Sequence, residues 1–199
     1  MTDRRTFLAT GIAVLGAGLA GCAGSGADGG WITLLDASRM SNFDGWTQVG
    51  EGNWSIVDGT VQGKNGNAGF LVSKDSYTDF EIRAEFWVSD DANSGIFIRN
   101  TDPKNISSKT GYEVNIFDQR PDPSMGTGGI VPFAKTLVPV KAGGKWNTYE
   151  ITARGNRIVV VLNGQQTVDA IDGKHRSGPI ALQSAAGTIR FRKVQIRAM

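Results

Sequence analysis

A chain of 199 residues with a net charge of +2 has room for one domain with a proper core and lacks the basic stripe of a nucleic-acid binder. A single cysteine excludes an internal disulfide framework, and a single histidine, His175, excludes a zinc site built from histidines and cysteines. The 27 glycines suit a β-rich chain with many turns.

The N-terminus reads as processing signal. Arg4-Arg5 precedes an apolar run from Phe7 to Leu19 that is too short for a comfortable membrane span and fits an export signal. Arg4-Arg5-Thr6-Phe7-Leu8 is similar to the twin-arginine motif, with Asp3 where Ser or Thr is usual, so the Sec route stays open. Leu19-Ala20-Gly21-Cys22 resembles a bacterial lipobox. The expectation is a signal peptide over residues 1–21, a lipidated Cys22, a flexible tether over 22–30 and a folded domain over 31–199. The protein is then a cell-envelope lipoprotein facing the periplasm. Ala23 after the cysteine favours the outer membrane.

From Trp31 the chain reads as short strands and turns. Trp31–Leu35, Trp46–Val49 and Trp54–Val57 are strands, and Asp58-Gly59 supplies a tight turn into Thr60–Gln62. Gly69–Val72 follows. Asp79–Val88 alternates most clearly, with Phe80, Ile82, Ala84, Phe86 and Val88 on one face. After a central pair of strands comes a long loop rich in Pro and Gly, Gln119–Gly144, expected to rim a site. Trp146–Ala153, Arg157–Leu162 and Gln165–Ala170 form a meander, with a hairpin signal at Asn163-Gly164. Pro179–Gln183 and Thr188–Ile196 close the domain, and the pattern breaks between Phe191 and Val194 as a bulge would require. No helical periodicity follows Leu19. The fold class is all-β, a sandwich of two antiparallel sheets.

The central pair carries the candidate chemistry. Asn93–Arg99 and Gly111–Asp118 both read as strands. Residues two apart share a face, so Glu113 and Asn115 point together, opposite Tyr112, Val114 and Ile116. A polar, concave sheet face is a natural floor for a sugar-sized site. Glu113 could act as a base, or Glu113 and Asp118 as a carboxylate pair if the backbone bends near Phe117. Arg99 could neutralise an oxyanion, or else form a structural ion pair with Glu113 or Glu85. Trp54, Trp87 and Trp146 are candidate sugar platforms, against the commoner role of core tryptophan. Asp90-Asp91-Ala92-Asn93 could offer oxygens to calcium but reads better as a turn. His175 reads as an exposed loop residue.

Several segments together resemble the 3-keto-disaccharide hydrolase family, which unites 3-keto-glucoside lyase and 3-keto-glucal hydratase activities. They are Trp54-Ser55-Ile56-Val57-Asp58-Gly59, Asn93–Arg99, Gly111–Asp118, Lys145–Ile151, Leu162-Asn163-Gly164 and Gly178–Gln183. The resemblance implies a concanavalin A-like jelly roll and a small sugar or glycoside as substrate. It further implies removal of the C2 proton next to a C3 ketone, β-elimination of the C1 group and addition of water. Residues matching the family's polar motif are Glu113 as base, Arg99 as enolate anchor and Asp118 as acid or orienting group. Asn115, Asn93 and Trp87 are the expected substrate contacts. No cofactor is implied, with calcium the one candidate cation. The chain departs from many relatives at Asn115, where Gln is frequent, and at Leu162 and Ala185-Ala186-Gly187, where relatives carry histidines. Those departures make a non-catalytic carbohydrate-binding lipoprotein the alternative.

Overall fold

The computed structural model describes residues 29–199 apart from residue 65; the expected export signal, the lipobox and most of the tether lie outside the described residues. Among the described residues, fourteen strands form two antiparallel sheets. The first sheet runs β12 (Gln165–Ile171), β11 (Arg157–Leu162), β10 (Trp146–Arg154), β6 (Phe80–Val88), β14 (Thr188–Ala198), β4 (Thr60–Lys64), β3 (Trp54–Val57), with β1 (Ile32–Asp36) also paired to β14. The second runs β2 (Trp46–Gly50), β5 (Gly69–Ser73), β13 (Ala181–Ser184), β7 (Ser94–Ile98), β8 (Tyr112–Ile116), β9 (Ile130–Val131). The only helical pieces among the described residues are two single 3₁₀ turns, Ala37–Arg39 and Pro123–Met125.

The all-β reading therefore holds, and the physical reasons are local. In β6 the five apolar alternate residues are all buried, because this strand lies between β10 and β14 and turns one face into the sandwich. Asp58 and Gly59 both take positive φ, as do Asn163 and Gly164, which is the backbone twist that a two-residue hairpin demands. In β14 the register slips between Phe191 and Lys193. The extra residue lets both Phe191 and Val194 reach the core, as the broken pattern requires. The long loop contributes a 3₁₀ turn and the short strand β9 on the open edge of β8.

One expectation fails in an instructive way. β5 and β7 do not alternate; every residue in both is buried. Ile96, Ile98, Leu71 and Leu182 face the main core, while Phe70, Val72, Phe97 and Ala181 form a second apolar cluster on the outer face of the same sheet. Ile106, from the loop after β7, covers that cluster. The outer face is therefore largely apolar, with a small polar island rather than a polar floor.

Candidate active site

The island is set by sheet register. Gly95 of β7 pairs with Asn115 of β8, and Phe97 pairs with Glu113. On the other side Phe97 pairs with Ala181 and Ile96 with Leu182. The next position of β13 is Gln183, which lies beside Gly95. A Cβ placed on Gly95 would stand 3.3 Å from Cγ of Glu113 and 3.5 Å from Oε1 of Gln183. Gly95 has no positive φ, so its backbone does not require glycine. Without a side chain there, the Val114 carbonyl, the Glu113 side chain and the Gln183 amide close in around Gly95, which is itself buried.

The polar side chains around Gly95 are those of Glu113, Asn115 and Gln183. Glu113 is half-buried, and its burial beside Phe97 and Val131 raises its carboxyl from the ordinary 4.5 to about 7, with Arg120 pulling the other way. Asn115 is fully buried; its Nδ2 donates to the carbonyl of Met125 at 2.7 Å, and its Oδ1 has no partner. Oε1 of Gln183 is likewise buried without a partner. Buried polar atoms of native proteins are nearly always bonded, so these two acceptors are exceptions that lie close together on one face of the sheet.

The long loop does rim this site. Met125 holds Asn115, and Arg120 supplies the cation nearest in effect to Glu113. Asn93 stands on the same face of β7's chain as Gly95, half-buried, with its backbone bonded to Ala185 and Ala186.

Three expected site residues lie elsewhere. Arg99 has φ 53°, which swings its side chain off the sheet face. The guanidinium is fully buried at the end of the sandwich and donates to the carbonyls of Thr78, Gly155 and His175 and to the Asp79 carboxylate. These bonds occupy all five of its N–H donors, so none remains for a substrate. The ion pair is with Asp79, not with Glu113 or Glu85. Asp118 is spent on the loop: it accepts from Thr127 Oγ1 at 2.5 Å and from the N–H groups of Ala142 and Gly143 at 2.9 and 2.8 Å. Its carboxylate turns to the returning arm of the loop and does not pair with Glu113. Trp87 belongs to the other sheet's outer face, cross-strand from Trp146 and 5.0 Å beneath the guanidinium carbon of Arg190. Trp146 is capped in the same way by Arg192, and Trp54 packs against the core. These rings are committed to arginines and to the core rather than to a sugar.

His175 is buried, not exposed, because its ring sits edge-on to Tyr112 with centroids 5.1 Å apart. It lines a separate cavity of about 340 Å³ with Phe133, Asp172 and Lys174. Tyr112 donates its hydroxyl to Asp172 at 2.6 Å and accepts the His175 backbone N–H at 3.1 Å. Asp90 and Asp91 make a turn, with Ala92 N–H donating to Ser89 and Asp91 accepting from the Ser89 hydroxyl. Among the described residues no group of three or more His, Cys, Asp or Glu side chains is placed to hold a metal.

With this geometry in hand, comparison with known proteins is decisive for the family. Residues 30–197 match the model of the 3-keto-alpha-glucoside-1,2-lyase-like domain. The chain belongs to that family. A 3-keto-disaccharide hydrolase of Bacteroides thetaiotaomicron is 25% identical over 171 residues, covering 70% of this chain and 58% of that protein. The chain therefore spans little more than half the length of that relative. A protein from Parabacteroides distasonis inferred to be a glycosyl hydrolase superposes with TM-score 0.74 at 18% identity, over 85% of this chain and 94% of the other. Carbohydrate-binding module CBM66 of Bacillus subtilis superposes with TM-score 0.61 at 18% identity, over 85% and 96%. Both structures share the sandwich fold.

Arg120, Gln183 and Gly95 were not singled out in the sequence as site residues. Arg120 lies among prolines in a loop, where no periodicity assigns a direction. Gln183 ends an apolar run whose alternation is hidden by burial on both faces.

Two measurements test this assignment. Arg99→Met leaves buried carbonyls and Asp79 without their donor, so chemical denaturation should register a loss of about 3–5 kcal/mol; a loss below about 1 kcal/mol would return Arg99 to the list of candidate ligands. The second concerns Glu113, whose raised value runs against stability as pH rises. Below about 4.5 the carboxyl is neutral folded or unfolded. Between about 4.5 and 7 the unfolded chain ionises first, the folded state holds the extra proton, and stability falls until the folded group has also ionised. Glu113→Gln removes that slope. Denaturation at pH 4.5 and pH 8 should show wild type losing about 1–3 kcal/mol more than the variant across this range; parallel curves would show that the carboxyl is not desolvated.

Proposed function

We propose that the domain hydrolyses 3-keto-disaccharides by elimination followed by hydration, at the Glu113 carboxyl on the outer face of the second sheet. The observation that carries the proposal is Glu113: a desolvated but partly exposed carboxyl with a value of about 7, on the outer face of the second sheet. A base works best when its pKa lies near the working pH, and this one is half ionised there.

The chemistry follows from the ketone. A carbonyl at C3 acidifies the hydrogen on C2. Glu113 accepts that proton, and the electron pair of the C2–H bond delocalises into the C3 carbonyl as an enolate. Arg120 supplies positive charge to the developing oxyanion, the part first assigned to Arg99. The enolate then re-forms the ketone as a C1–C2 double bond forms and the C1–O bond breaks, and the second sugar leaves as its C1-linked alkoxide, which takes a proton from solvent water. Water then adds to C1, its oxygen forming the new C1–O bond and its surplus proton passing to solvent, while the protonated Glu113 returns its proton to C2. The sum is hydrolysis, with the carboxyl restored. The apolar wall of Phe97 and Val131 keeps Glu113 from being a stronger acid, and so a weaker base, than the step requires. Asp118 takes part only by fixing the loop that carries Arg120.

The same proposal places the enzyme in the cell envelope, tethered through a lipid on Cys22. It rests on the lipobox pattern Leu19-Ala20-Gly21-Cys22.

The domain should release the C1 group from a 3-keto-disaccharide, with kcat/KM rising with pH and levelling above about 7 as Glu113 ionises. Glu113→Gln should lower kcat at least about 100-fold while sugar binding persists. Saturable binding with no turnover by wild type would make the domain a carbohydrate-binding protein instead. For the anchor, Cys22→Ser should move the protein from the membrane fraction to the soluble fraction; an unchanged distribution would remove the lipid from the account.

A further inference from the structure

The cavity beside His175 takes no part in the chemistry at Glu113, yet its lining has the make-up of a binding site. We propose that it holds a small hydroxylated carboxylate, a sugar acid of monosaccharide size. The inference is independent of the elimination reading and concerns a second site on the same domain.

Three observations carry it. The first is His175 itself, the only histidine of the chain and only 5% exposed. Its backbone is fully engaged: the N–H donates to the Tyr112 hydroxyl at 3.1 Å, and the carbonyl accepts from Arg99 at 3.5 Å. Its two ring nitrogens have no hydrogen-bond partner among the described residues, and neither is sealed from solvent. The ring lines the cavity, so that is where its partner must come from.

The second observation is the shape of the space. Its volume of about 340 Å³ is that of a small-molecule pocket, and Tyr112, Pro132 and Phe133 give it an apolar wall. The turn that carries His175 is pinned against this wall. Oδ1 of Asp172 accepts both the Tyr112 hydroxyl at 2.6 Å and the Lys174 N–H at 2.7 Å. The third observation is charge. Lys109 and Lys174 also line the cavity, are exposed, and form no ion pair among the described residues. Asp172 is the one acid on the wall, and its Oδ1 is already bonded. The excess of positive charge favours an anion.

The imidazole selects which anion. Burial, and then Lys174, lower the pKa of His175 below its ordinary 6.5, with Asp172 pulling the other way, so the ring is neutral at pH 7. A neutral imidazole carries one N–H donor and one bare acceptor. A carboxylate oxygen can take the donor, and only a hydroxyl or similar group can satisfy the acceptor. A phosphate dianion calls for more fixed donors than one imidazole and two flexible lysines supply, and it would lie against Asp172. A neutral sugar leaves the lysines unused, and an aromatic acid leaves the acceptor bare. A sugar acid meets the apolar wall, the cations and both ring nitrogens together.

Because His175 is the only histidine, ring-labelled histidine gives a single imidazole signal in the untagged protein. Glucuronate should shift that signal saturably. Glucose, benzoate and inorganic phosphate should each bind at least about 10-fold more weakly. By calorimetry, His175→Phe keeps a ring against Tyr112 without its nitrogens and should weaken glucuronate at least about 10-fold. The double variant Lys109→Gln/Lys174→Gln alters exposed side chains only; it should weaken glucuronate about threefold or more with the melting temperature unchanged. Glu113→Gln should leave glucuronate binding as it was. An imidazole signal that glucuronate does not move overturns the assignment. So does equal binding of glucose, benzoate or phosphate, or glucuronate binding that survives the lysine double variant undiminished. Loss of binding in Glu113→Gln would move the ligand to the outer face and overturn it too.

Discussion

The hydroxyl of Tyr149 ties the sandwich together at the point where the site is built. Tyr149 leaves the inner face of β10, stacks on Phe86 at 5.0 Å and crosses the core. Its hydroxyl donates to the backbone carbonyl of Asn115 at 2.7 Å and accepts the N–H of Gly128 at 2.8 Å. One buried oxygen thus joins the first sheet, the β8 strand of the second and the long loop. Burial drives the phenol's pKa far upward, so it stays a neutral donor at any pH where the fold survives. Thr167 adds a second clamp by donating to the Gly128 carbonyl. A loop of this length would ordinarily be free to move, and without such ties Arg120 and Met125 could not hold fixed positions against Glu113 and Asn115.

The outer face of the second sheet sets the electrostatics. A polar floor would have solvated Glu113 and left it an ordinary carboxylate. The apolar cluster of Phe70, Val72, Phe97 and Ala181, roofed by Ile106, withdraws water from one side of the carboxyl. The amides and Arg120 stand on the other. Desolvation outweighs the pull of Arg120, which is why the carboxyl rises rather than falls. The energetic penalty is local. It is the ordinary bargain of a site in which ionisation is needed for chemistry and disfavoured by burial.

What could be read from sequence was whatever a two-residue period or a turn dipeptide encodes. The alternation of β6, the hairpins at Asp58-Gly59 and Asn163-Gly164, the bulge after Phe191 and the shared face of Glu113 and Asn115 all follow from local rules. Arg99 shows where such rules stop. Two residues beyond Phe97, it should share a face with the site, but a single positive φ redirects it into the end of the sandwich. Asp118 was hidden for a related reason: its partners, Thr127, Ala142 and Gly143, are up to 25 positions away, and no local pattern announces them. Trp87 failed as a platform because the choice between the two outer faces is made by sheet pairing, not by alternation.

The two outer faces of the sandwich have divided their tasks. On the first sheet, Trp31 lies beneath Arg83 and Arg197, Trp87 beneath Arg190 and Trp146 beneath Arg192, while Glu81, Glu85 and Glu150 pair with those same arginines or their neighbours. Every ring there is covered by a cation, and exposed pairs of this kind contribute little individually. The face is solvated and satisfied. The second sheet has the opposite character: apolar, roofed, and interrupted by Glu113, Asn115 and Gln183 around Gly95. A sandwich can bind sugar or transform it with the same strands. The difference lies in whether a carboxyl is held partly out of water, and the apolar surroundings of Glu113 meet that condition by sheet register alone.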